Sequence, residues 1–208
     1  MKRSFLAPGA KLLMLTFATA AMISCNNNSG DKKTTTDTSK TVVDNTHTMP
    51  VDTTAVPMVS DAQAILSGTY ADTTVEGTAK FHVGADGKVT MILELKIPAK
   101  GGKSVAVHLH EHGDCGDTAK MAHGHWNPTN AQHGKWGSSS FHSGDIGNVK
   151  LDAKGKGTLT LTTDLWTLGG KPDKNILGRS VIIHGGMDDY VTQPSGNSGP
   201  RIGCGVIK

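Results

Sequence analysis

Six histidines and one aspartate stand at intervals that suit metal binding: His108, His110, His125, His133, His142, Asp145 and His184. The first two form His-x-His inside SVAVHLHEH, a run that reads as a strand. Side chains two apart on a strand share a face, so His108 and His110 point one way and Val107 and Leu109 the other. His125, His133, His142 and Asp145 follow as His-x7-His-x8-His-x2-Asp through a Gly-rich stretch, a spacing that lets a loop curl around one ion. His184 ends the apolar run SVIIH and can close a second site beside the first. Imidazole suits copper and zinc, a carboxylate suits zinc, and no thiolate belongs to the set. A single His-x-His pair would read as an exposed polar face. The cluster downstream of it turns the pair into ligands, enough for two adjacent metals.

Such ligands need a rigid frame, and the chain supplies a β-rich one. From Val59 onward the apolar pattern has period two. Lys88 to Ile97 puts Val89, Met91, Leu93, Leu95 and Ile97 on one face, and Thr74 to Val83 alternates likewise. Gly84-Ala85-Asp86-Gly87 between them is a hairpin signal. Ser104–His110 is a further strand, Asp145–Leu151 and Gly157–Thr163 form a second hairpin, and Ser180–His184 and Ile202–Ile207 complete the frame. Short strands, frequent Gly turns and no helical periodicity predict an all-β, eight-stranded Greek-key barrel or sandwich over residues 58–208. A domain of about 150 residues can bury its own core. Residues 111–144 and 185–200 are too long and irregular for hairpin turns, and long ordered loops on a β scaffold are usually functional.

The chain resembles the copper/zinc superoxide dismutases. The matching stretches are HLHEHGDC, HWNP, the spacing of His133, His142 and Asp145, GRSVIIH, and GPRIGCGVI, and they span roughly residues 58–208. The resemblance implies copper held by His108, His110, His125 and His184. It implies zinc held by His125, His133, His142 and Asp145, with His125 shared as a bridging imidazolate. It also implies that Asp188 links a copper histidine to a zinc histidine, that Arg201 attracts superoxide, and that Cys115 and Cys204 form a disulfide. The implied reaction is dismutation of superoxide to oxygen and hydrogen peroxide, with copper alternately reduced and reoxidised, His125 carrying a proton, and zinc structural. The second long loop is short and lacks lysine, closer to bacterial than to eukaryotic members, so steering falls mainly to Arg201. A homodimer is one assembly this leaves open. The alternative is a non-enzymatic dismutase-like module that holds copper or zinc at the envelope; the chain nevertheless keeps every ligand and the arginine, whose loss typifies inactive relatives. A purely structural sandwich would carry no convergent ligands.

His112 and His123 flank the ligands without matching any of them and are expected to face solvent or back the site, with a transient role in copper capture as the alternative. His82 is expected to be structural, and Trp126 and Trp136 to anchor loops on the barrel.

The N-terminal part has another character. Lys2, Arg3 and Lys11 precede and flank the run LLMLTFATAAMI, which is too short to span a bilayer of about 30 Å, and residues 1–24 read as a secretory signal. Met22-Ile23-Ser24-Cys25 resembles a bacterial lipobox, which implies a lipidated Cys25 and a place in the bacterial cell envelope, periplasmic or surface-facing. Acylation also accounts for the odd one among three cysteines. Residues 25–57, rich in Asn, Thr, Asp and Lys, read as a flexible polar tether, and His47 within it is not expected to bind metal. Removing the signal takes Lys plus Arg from 21 to 18, level with the 18 acids. With three Trp, two Tyr and four Phe and no basic stripe among them, nucleic-acid binding has no support.

Overall fold

A computed structural model describes residues 56–208. The signal, Cys25, His47 and nearly all of the tether lie outside the described residues. The end of the tether is already tied to the domain, the Val56 carbonyl accepting from Gly170 N–H at 2.6 Å, and the start of the domain follows it, Val59 N–H donating to the Leu168 carbonyl at 2.9 Å.

Eight strands form one antiparallel sheet: β1 (Asp61–Gly68), β2 (Glu76–Val83), β3 (Val89–Lys96), β4 (Ser104–His110), β5 (Gly147–Lys150), β6 (Lys156–Thr163), β7 (Ser180–His184) and β8 (Arg201–Val206). Their order is β5-β4-β7-β8-β1-β2-β3-β6. The two ends of that order, β5 and β6, are successive in the chain and meet through the Asp152–Gly155 turn, so the sheet curls into a nearly closed barrel. Alternation builds it. On β3, Val89, Met91, Leu93 and Leu95 are buried while Ile92 is half exposed; Ala79 and Phe81 do the same on β2. Burying each large apolar side chain contributes about 1.5–3 kcal/mol. The barrel interior, with Leu66, Phe81, Met91, Leu109, Ile183 and Trp166 among its members, is therefore a large source of the fold's stability.

Two departures from the sequence reading have physical reasons. β1 was not delimited, because Ala62 and Ala64 give a faint inward signal while Ile65 points outward at 62 % exposure. A third long connection, residues 164–179, joins β6 to β7 and is structural: Trp166, Leu168 and Ile176 are fully buried. His82 is exposed on β2, with Nδ1 2.8 Å from Oδ1 of its cross-strand neighbour Asp61. Trp126 is buried in the core and Trp136 packs against it, as loop anchors should.

The strand that matters most for function is β4. Val107 and Leu109 face the interior, and His108 and His110 face outward, yet both histidines are buried as well. The long loop 111–146 covers them. His125 forms an antiparallel bridge with His110, Trp126 N–H donates to the Leu109 carbonyl at 2.8 Å, and Leu109 N–H donates to the Gly144 carbonyl at 2.9 Å. A Cβ at Gly144 would fall on the Leu109 carbonyl oxygen, so the loop can lie this close only with glycine there.

Candidate metal centre

The structure gathers all seven sequence-derived ligands on the outer wall of the barrel, beneath the 111–146 and 185–200 loops. Two groups form, His108, His110, His125 and His184, and His125, His133, His142 and Asp145, with ligand atoms within 4.8 Å of one another in each. All seven residues are buried, and His125 belongs to both groups. Its ring centroid lies 3.9 Å from that of His108.

Among the described residues, five buried imidazole nitrogens have no hydrogen-bond partner: His108 Nδ1, His110 Nε2, His125 Nε2, His133 Nδ1 and His184 Nε2. An unsatisfied buried polar group costs about 1–3 kcal/mol, so five in one place call for an acceptor of their lone pairs. The other nitrogen of each ring is held. His110 Nδ1–H donates to the His123 carbonyl at 2.9 Å and His184 Nδ1–H to the Gly199 carbonyl at 3.2 Å. His108 Nε2 and His133 Nε2 donate to Asp188, at 2.8 Å to Oδ2 and 2.9 Å to Oδ1. A donor fixed at one nitrogen leaves the opposite one a lone pair in the neutral ring, which is the form that binds metal.

The second group turns on Asp145. His125 Nδ1 lies 2.8 Å and His142 Nδ1 3.1 Å from its Oδ1. His133 Nδ1 is 3.0 Å from Oδ2 but out of hydrogen-bond alignment, hence its place among the unpartnered atoms. The main chain of His142 and Gly134 donates to Oδ2 at 2.8 and 3.1 Å. Three imidazoles and one carboxylate converging in this way make a zinc-type donor set. The residues thus fit both metals.

Burial sets the protonation of the first group. It lowers His110 well below its ordinary value of 6.5, His125 to about 4 and His184 to about 3, and it lowers His108 despite Asp188. Burial also opposes a charge on His133, but the adjacent carboxylates of Asp145 and Asp188 outweigh it and raise that group to about 9. Asp145 and Asp188 are themselves held far below the ordinary carboxylate range: burial works against the charge, and their histidine partners prevail. The sign follows. In the metal-free protein, the raised His133 stabilises the fold fully below pH 6.5 and loses that effect as pH rises through about 9. At pH 7.5 His133 carries a proton that zinc must displace, so zinc binding should release about one proton from this ring. Calorimetry in buffers of different ionisation enthalpy measures it; a heat independent of buffer would show His133 already neutral.

Several positioning groups gave no signal in the sequence. Asn148 grips the Asp188 main chain on both sides, accepting from its N–H at 2.8 Å and donating to its carbonyl at 2.9 Å. Gln193 does the same for His133, each contact 2.9 Å. Gly196, at φ +66°, passes so close that a Cβ would sit on Asp188 Oδ1 and 2.6 Å from His133 Nε2. Arg179 stacks 4.4 Å over the Trp126 ring and donates to the Glu111 carbonyl at 3.0 Å.

The site opens through a cleft of about 680 Å³ whose lining includes His110, His125, His184, Arg201 and Gln193–Ser195. Arg201 is half-buried, and its Nη1 and Nη2 donate to the carbonyls of Ala119 and His123, both at 2.6 Å. Among the described residues, it is the only Lys or Arg lining the cleft. Cys115 and Cys204 form the disulfide, 89 residues apart in sequence, tying the metal loop to β8. His112 and His123 are exposed.

Comparison with known proteins supplies the remaining observations. The family model described as copper/zinc superoxide dismutase matches residues 75–207. A copper/zinc superoxide dismutase of Aquifex aeolicus is 40% identical over 122 residues, covering 55% of this chain and 71% of the relative. One from Yarrowia lipolytica is 38% identical over 153 residues, covering 70% of this chain and 96% of the relative. A crystal structure of the clock protein EA4 superposes with a TM-score of 0.64 at 32% identity, over 73% of this chain and 95% of that one.

Proposed function

Because the chain belongs to the copper/zinc superoxide dismutase family, we propose that the two ligand groups divide the metals as that family does. The enzyme is a superoxide dismutase that uses copper and zinc. In this reading His108, His110, His125 and His184 hold copper, and His125, His133, His142 and Asp145 hold zinc. One observation carries it: His125 has its Nε2 unpartnered beside the first group and its Nδ1 2.8 Å from Asp145 in the second.

The reaction consumes two superoxide anions and two protons and yields oxygen and hydrogen peroxide. When bound, copper supplies the one-electron oxidation and reduction, and zinc a fixed positive charge without redox chemistry. The protein's own groups do the rest. Arg201 lines the cleft beside His110, His125 and His184. Two of its five N–H donors are spent on main-chain carbonyls, which fixes the fork and leaves donors for a small anion. His125 can hold a proton at Nε2 between the half-reactions, because Nδ1 stays oriented on the Asp145 side. Asp188 fixes the rings of His108 and His133 together, so the two groups keep one geometry.

We place this domain at the cell envelope, lipidated on Cys25 after removal of residues 1–24 and carried on the polar tether, where it would remove extracytoplasmic superoxide. The support is the basic flank, the short apolar run and Met22-Ile23-Ser24-Cys25. Cys25→Ser should move the protein from the membrane fraction to the soluble one while its specific activity is kept. Wild-type protein that is already soluble and carries no acyl mass on Cys25 would refute the anchor.

A further inference from the structure

A third group of ligand-type side chains lies outside the two already described: Glu111, His112 and His123, all exposed, with one ligand atom from each within 4.8 Å of the others. We propose that this group is a solvent-facing site for a divalent transition-metal ion, Cu(II) most tightly, at the rim of the copper cleft.

The geometry is built rather than accidental. The His112 and His123 rings lie 4.4 Å apart between centroids and are inclined at 68°, so two imidazole edges can converge on one ion. The two segments that carry them run side by side, tied by Glu111 N–H to the Gly124 carbonyl at 3.1 Å and His112 N–H to the Ala122 carbonyl at 3.2 Å. The carbonyls are pinned too. That of Glu111 accepts from Arg179, that of His112 from Ser180 Oγ at 2.7 Å, and that of His123 from both His110 and Arg201. With the main chain engaged in this way, the imidazoles and the carboxylate face solvent. A preorganised set loses little entropy when it closes on an ion.

His123 adds a second argument. It sits at φ 62°, ψ −143°, a region that glycine occupies freely and other residues only under strain. That conformation aims its carbonyl at His110 and Arg201, a task glycine would perform with less strain. The backbone therefore does not explain the imidazole, which projects to His112 instead. Two imidazoles and a carboxylate suit Cu(II) and Zn(II), and copper heads the divalent affinity order. Glu111 also lines the cleft that leads to His110 and His184, so an ion held here would stand at the mouth of the copper pocket. This inference is independent of how the buried ligands divide between copper and zinc.

The test uses the full chain already loaded with one copper and one zinc, titrated with Cu(II) and followed by calorimetry and electron paramagnetic resonance. Wild type should take up a third equivalent whose spectrum shows nitrogen coupling. His112→Gln, which keeps the main chain and removes one imidazole, should weaken that equivalent by about tenfold or more while retaining the first two metals. Glu111→Gln should weaken it less. Saturation at two equivalents in wild type, or an undiminished third equivalent in His112→Gln, would overturn the site.

Discussion

Replacing His125 by alanine is expected to lower the affinity for copper and zinc together and to abolish superoxide turnover. The ring offers Nε2 to the group of His108, His110 and His184 and Nδ1 to the group around Asp145, so one substitution removes a donor from each. Losing an outer-shell partner typically costs about 10–100-fold in metal affinity or activity; losing a direct donor to both sites should exceed that range. The metal-free fold should survive, because His125 lies in the 111–146 loop, outside the strands whose apolar side chains fill the barrel interior. His142→Ala is the informative contrast. It removes a donor from the Asp145 group alone and should empty zinc preferentially, with copper retained. Metal content per chain together with turnover separates the two variants. Equal copper retention in His125→Ala and His142→Ala would show that His125 is not shared.

Arg201→Met should slow turnover by roughly tenfold, within the range of about 10–10³ that electrostatic focusing adds to association rates, and flatten its salt dependence. The magnitude follows from what else lines the cleft. The 185–200 loop contains no lysine, and among the described residues Arg201 is the sole Lys or Arg at the mouth. Glu111 lies on the same rim with the opposite sign. At physiological ionic strength the Debye length is about 8 Å, so more distant cations contribute little. Arg201→Lys resolves the two roles of the residue. A lysine keeps the charge and loses the planar fork, so salt dependence should persist while the rate falls part of the way. The metals should stay in place in both variants. An unchanged salt dependence in Arg201→Met would place the steering charge elsewhere.

Much of the site is local in sequence and was therefore legible. His108 and His110 declare themselves by period two on a strand, and the loop ligands from His125 to Asp145 by their regular spacing. Asp188 and Arg201 were reachable only through the family's motifs, because nothing in their own neighbourhoods marks them, whereas the Cys115–Cys204 pair also follows from counting three cysteines and setting Cys25 aside. Asn148, Gln193 and Arg179 were invisible for a definite reason: each works by gripping main-chain groups some 40 to 70 residues away, and a main-chain carbonyl has no residue type to recognise. The burial of His108 and His110 was also beyond period-two reasoning, which assigns a strand one wet face. Here the outward face is covered by loop 111–146, so β4 is buried on both sides. In the frame, β1 escaped because alanines supply little contrast, and the 164–179 connection because Trp166, Leu168 and Ile176 fill the core without strand periodicity.

The most direct test of the account is the decay of superoxide after pulse radiolysis, with the purified chain loaded with one copper and one zinc and His125→Ala as the control. Superoxide dismutases are themselves among the standard examples of enzymes at the diffusional ceiling of about 10⁸–10⁹ M⁻¹s⁻¹. Catalytic decay near that ceiling is expected for wild type, and its loss in the control. Wild-type decay no faster than the control would contradict this expectation and leave a metal-holding protein on a dismutase frame.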